Sequence, residues 1–146
     1  MTERNLKPEI HQAAEVEEDR PGRPLLCPLP AGWPSPADDY LEDQLDLHRL
    51  MVRNPTATFF LRASGHSMIG AGIHDGDLLV VDRSRPAVPG KVVIASVDGE
   101  LTIKRLIKRG NKMLLAPENP DFPEIDLSER EEAEIWGVVT YAVHQL

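Results

Sequence analysis

The stretch KVVIASVDGELTIKRLIK, Lys91–Lys108, decides how this chain is read. KVVIASV and ELTIKRLIK are two runs rich in β-formers, and VDGE between them is the signal of a tight hairpin, because Asp and Gly tolerate the left-handed backbone that a two-residue turn demands. Moving outward, similar runs recur as TFFLRAS and DLLVVD ahead of it and as KMLLAP and IWGVVTYAV behind it, each set off by turn residues. The body is therefore expected to be mainly β, with predominantly antiparallel, twisted sheets and a short helical element at its N-terminal side.

That helical element is read from SPADDYLEDQLDLHRLM. Ser35, Pro36 and Asp38 occupy N-cap, N1 and N3, and the Asp38 carboxylate is in place to return a capping-box bond. Leu41 and Leu45 are four apart, as are Leu47 and Met51, so the helix is either one broad stripe or two short helices with Asp46 as the second cap. Asn54 and Pro55 end it.

Residues 1–31 read differently. They hold few large apolar side chains, run through EVEEDR and carry Pro21, Pro24, Pro28 and Pro30, so they have little to bury and are expected to be an extended, flexible arm. Leu25, Leu26 and Leu29 are the exception and could anchor the arm in a groove. The expected division is thus an arm over 1–31 and one β domain over 32–146.

Composition narrows the function. A net charge of −8 and a pI near 5.1, with basic residues scattered among acids, disfavour direct sequence-specific DNA binding. The single cysteine, Cys27, excludes an internal disulfide and a cysteine-based metal centre. No apolar window approaches the roughly 20 residues of a membrane span, so a cytoplasmic location without membrane contact is expected. Histidines 11, 48, 66, 74 and 144 fall at no ligand spacing, and the glycines at 65, 70, 72 and 76 fit neither a dinucleotide fingerprint nor a Walker loop; no metal or cofactor is expected.

What remains is ASGHSMIGAGIHDGDLLVVD, in which Ser64 and Ser67 sit in a glycine-containing turn between two β runs. Such a serine either caps the turn or presents a nucleophilic hydroxyl, with the His66 and Ser67 amides pointing at a developing oxyanion. A nucleophile needs a base, and His66, adjacent on a tight turn, is poorly placed to be one. Lys104 lies within an apolar strand, where burial would lower its pKa, although alternation puts a basic residue on each face and leaves open which faces inward. Arg105 cannot serve, since guanidinium does not deprotonate.

From about Gly32 onward the chain resembles the UmuD branch of the LexA, UmuD and phage-repressor family of self-cleaving Ser/Lys peptidases. The resemblance rests on GWPSPADDYLE, SGHSM, GIHDGDLLVVD, VDGELTIKRL, APENPDFPEI and WGVVTYAV, in this order. It implies the LexA-type peptidase fold, with Ser67 as nucleophile, Lys104 as general base and self-cleavage between Ala31 and Gly32. It further implies a homodimer, stimulation by the RecA filament on single-stranded DNA, and service of the trimmed form in translesion synthesis with a UmuC-type Y-family polymerase during the SOS response. The alternatives are a non-cleaving dimeric interaction module, a repressor C-terminal domain relative and a signal-peptidase-like enzyme. The last two are weakened by the lack of a helix-turn-helix pattern in residues 1–31 and of an apolar anchor.

Overall fold

The computed structural model describes residues 9–14, 23–26 and 41–146, of which 23–26 and 41–44 are described as backbone only. The six β runs read from the sequence are all strands. They are β4 (Thr58–Arg62), β5 (Leu78–Asp82), β6 (Val92–Val97), β7 (Glu100–Arg109), β8 (Lys112–Ala116) and β10 (Ala133–Val143), joined by the shorter β1 (Ile10–Gln12) and β9 (Ile125–Asp126). Together they form one antiparallel sheet in the order β1-β4-β5-β10-β6-β7-β8-β9. The VDGE hairpin closes as expected: Val97 pairs with Glu100, and Asp98 and Gly99 both have positive φ, 51° and 82°.

The long strand β10 is the centre of the sheet. Its first half pairs with β6 and its second half with β5, and the register slips at Trp136 and again at Thr140. Such bulges bend a strand and increase its twist, which lets one strand serve two partners whose directions differ. Gly137 sits at this crossing because a Cβ there would lie 2.6 Å from Val81 Cγ1.

Strand alternation divides the core between the two faces. Val93, Ala95, Leu106, Leu115 and Val138 cluster on one, while Ile94 joins Leu61, Met68, Ile73, Leu79 and Val81 on the other. Each of the Val, Leu, Ile and Met side chains removed from water contributes about 1.5–3 kcal/mol. The second cluster includes Met68, so the turn that carries Ser67 is bolted to the sheet through its next residue.

One expectation is corrected. The helix read through DDYLEDQLDLHRLM is absent over its middle: residues 41–45 form strand β3 (Leu41–Leu45), antiparallel to β2 (Arg23–Leu26), and helix α1 (Leu47–Met51) is a single short one. Asp46 has extended backbone, and its carboxylate accepts from the His48 and Arg49 amides at 3.0 and 3.2 Å, so α1 starts there. The second-cap option for Asp46 therefore holds, while the i,i+4 pair Leu41/Leu45 is overridden by ladder bonds to a segment far away in sequence. The helix also closes earlier than expected, at Val52, leaving Asn54 and Pro55 to open a 3₁₀ turn. Ser35, Pro36 and Asp38 lie outside the described residues. Within the stretch read as an extended arm, residues 10–12 form β1 along the edge of β4, and residues 23–26 form β2.

Candidate active site

Ser67 stands in the turn between β4 and β5, and this turn is tied down along its length. Gly65 has φ 90°, a conformation that favours glycine, and its amide donates to Asp75 Oδ1 at 2.8 Å. Asn119 Nδ2 donates to the His66 carbonyl at 2.9 Å, the Glu118 amide donates to the Ser67 carbonyl at 2.8 Å, and the Gly70 amide donates to the Glu118 carbonyl at 2.8 Å. The approach is so close that a Cβ on Gly70 would lie 2.5 Å from the Glu118 oxygen. The serine is thus held by the segment that follows β8, which is itself held by the Arg105–Glu118 ion pair.

Lys104 reaches Ser67 from the middle of β7, opposite Val93. It is 8% exposed, and its Nζ stands 3.2 Å from Ser67 Oγ, 2.9 Å from Thr102 Oγ1 and 3.0 Å from the Ile103 carbonyl. Desolvation holds its pKa below the ordinary lysine value, and among the described residues no carboxylate pairs with it to counter that effect. As an ammonium it donates to all three oxygens; once neutral, its lone pair is free to accept the Ser67 O–H, while Thr102 and Ile103 keep the nitrogen in place.

The other candidates separate cleanly. Ser64, the other serine of the turn, is exposed on the rim of the cleft, and Lys108, which alternation puts on the same face of β7 as Lys104, is exposed near the strand's end. The His66 and Ser67 amides, expected to face an oxyanion, donate to nothing among the described residues. Ala31 and Gly32 lie outside the described residues. Ser67 opens into a cleft of about 560 Å³ whose walls combine apolar side chains, among them Leu61, Leu79 and Ile103, with the charged Glu9, Arg62 and Asp75.

Three contributors escaped the sequence reading. Thr102 could have been found, since residues i and i+2 of a strand share a face and put its hydroxyl beside the Lys104 ammonium. Glu118 and Asn119 carried no local signal, because an Asn-Pro turn looks like any other turn until the fold lays it against residues 66–70.

The chain matches the Peptidase S24-like family over residues 24–140. It is 49% identical to Protein MucA of Escherichia coli over 116 residues, 79% of each chain. It is 48% identical to Protein SamA of Salmonella typhimurium over 134 residues, 91% of this chain and 93% of that one, and 48% identical to Protein ImpA of Shigella flexneri over 137 residues, 92% and 93%.

Proposed function

The chain belongs to the S24-like family of serine peptidases, and from that premise we propose that it is a UmuD-type protein that cuts itself between Ala31 and Gly32. The observation that carries this reading is the contact between Ser67 Oγ and a buried, carboxylate-free Lys104. In the reaction, neutral Lys104 takes the Ser67 proton as Oγ attacks the Ala31 carbonyl. The oxyanion is met by the His66 and Ser67 amides, and the new ammonium returns its proton to the Gly32 nitrogen as the peptide bond breaks. Water then attacks the Ala31 ester as Lys104 takes one of its protons, and the ammonium returns that proton to Ser67 Oγ as the ester bond breaks, so the net change is one water added across one peptide bond.

The flanking sequence supports Ala31 and Gly32 as substrate. A small residue and a glycine let the backbone enter a narrow cleft, and the nearby prolines favour an extended chain. Strands β2 and β3 pair Leu26 with Leu41, so residues 27–40, which contain the bond, are joined at both ends to one ladder. Tethering keeps the bond at high effective concentration, and cleavage is then governed by how often the segment docks. A RecA filament on single-stranded DNA accelerates it by favouring the docked conformer, to the extent that it binds that conformer more tightly. The trimmed homodimer then serves a UmuC-type Y-family polymerase in SOS translesion synthesis.

Incubating the purified chain with activated RecA filament and determining any new N-terminus tests this reading. A fragment that begins at Gly32 and disappears in Ser67→Ala is expected. A chain that stays whole with the filament, in native protein and variant alike, leaves the dimeric interaction module as the function.

A further inference from the structure

A second cluster of donor side chains lies outside the contact between Ser67 and Lys104. Asp77, at the entrance to β5, is 2% exposed, yet two exposed imidazoles converge on it: His74 from the preceding turn, and His144 from the segment after β10. His144 Nδ1 is 2.6 Å from Asp77 Oδ1, and His74 Nδ1 is 3.7 Å from Asp77 Oδ2. The two rings face each other with centroids 4.5 Å apart at 33°. One donor atom from each of the three residues lies within 4.8 Å of the other two.

A hydrogen bond between His144 and Asp77 explains only part of this arrangement. The His74 ring nitrogens make no hydrogen bond among the described residues, although the ring is held against the same carboxylate and stacked on the other imidazole. The carboxylate is oriented independently, since the His74 backbone amide donates to Oδ2 at 2.8 Å. We propose that His74, Asp77 and His144 form a binding site for a divalent transition-metal ion of the zinc class.

The donor chemistry fits that class. Imidazole nitrogen and carboxylate oxygen suit zinc and its neighbours, with bonds of about 2.0–2.2 Å, whereas calcium and magnesium require more oxygen donors. Both rings are exposed, whereas the buried carboxylate is held by the His74 backbone amide. The 2.6 Å contact between His144 Nδ1 and Asp77 Oδ1 spans the place the ion takes, so loading replaces that contact with two bonds to the metal. Three protein ligands leave a fourth position open to water or to a group from another molecule.

Loading also has a structural consequence. The turn of residues 74–77 supports the approach to Ser67: the Ala63 amide donates to the Asp77 carbonyl, the Ala63 carbonyl accepts from the Gly76 amide, each at 2.8 Å, and Asp75 Oδ1 accepts from the Gly65 amide. A bound ion joins that turn to the end of the sheet's central strand. The site does not depend on the peptidase reading.

The test is calorimetric titration of the full chain, purified without a polyhistidine tag and stripped with a chelator, against zinc chloride, together with the NMR signals of its five histidine rings. One equivalent is expected to bind, shifting the His74 and His144 resonances and leaving the other three in place. His74→Ala and His144→Ala, both at exposed rings, are expected to retain the native circular dichroism and lose more than the roughly tenfold in affinity that even an outer-shell partner is worth, while His11→Ala binds as the native chain does. Native protein that takes up no zinc, or variants that bind it as tightly as the native chain, overturns the proposal.

Discussion

Lys104 and Arg105 are neighbours on β7, carry the same charge, and project to opposite sides of the strand into opposite electrostatic settings. Lys104 is buried, meets only neutral oxygens and is pushed toward its uncharged form. Arg105 pairs with Glu118 and donates to the Gly90 carbonyl at 2.6 Å, with about a third of each ion-pair side chain still in contact with solvent. The difference teaches how one strand divides its labour. One face sets beside Ser67 a lysine with no counterion among the described residues, and the other supplies the ion pair at Glu118, in the segment whose residues 118–119 bond the serine turn.

Substitutions that abolish this contrast have the largest expected effect. Lys104→Arg keeps the charge and removes the ability to lose a proton, so the rate of self-cleavage, followed on gels, is expected to drop by about 10²–10⁴-fold, matching the loss of a general base; Ser67→Ala is expected to fall at least as far. Retention of even a tenth of the native rate in Lys104→Arg breaks the comparison.

Loosening the clamp comes next. Asn119→Ala leaves the His66 carbonyl without its donor and is expected to cost about 1–3 kcal/mol in denaturant unfolding, with cleavage slowed in proportion to the disorder of the turn. Gly70→Ala forces a Cβ against the Glu118 carbonyl, and a similar loss of about 1–3 kcal/mol is expected. If either variant cleaves at the native rate despite lost stability, the 118–119 segment supports the fold and not the site.

Burial of Lys104 also has a cost that can be read as stability. Its folded pKa lies below 10.5, so between the folded value and 10.5 the unfolded chain holds a proton that the folded chain has released, and stability rises with pH through that window. Below the window the penalty for the buried ammonium is present in full. Lys104→Met is therefore expected to raise the thermal midpoint at the low-pH side and to flatten the rise, as measured by circular dichroism against pH. The smallest effect belongs to Arg105→Ala, whose partly exposed ion pair is expected to contribute at most about 1 kcal/mol.

The hairpin, the six long strands and the Ser67/Lys104 pairing were legible because each rests on local pattern or on motif order. Strand β3 was not: Leu41 and Leu45 have helical spacing, and the partner that overrides it, Arg23–Leu26, is remote in sequence and contains a proline. Nor could alternation alone say that Lys104 is the buried one of the two basic residues, since both faces of β7 carry apolar side chains. The histidine cluster was invisible for a related reason, because its closest contact joins residues 67 positions apart. The proposed scissile pair came only from family resemblance, as glycine next to alanine between prolines has no periodic signature.

The central claim is that a deprotonated Lys104 activates Ser67, and the most direct measurement is the rate of partner-free cleavage between about pH 7 and pH 10, up to lysine's ordinary range, with products identified by mass spectrometry. A fragment beginning at Gly32 is expected whose rate of appearance climbs with pH and levels off below the range of free lysine, and which is absent from Lys104→Arg and Ser67→Ala. A chain that stays intact throughout, or a Gly32 fragment that Lys104→Arg releases equally fast, contradicts it.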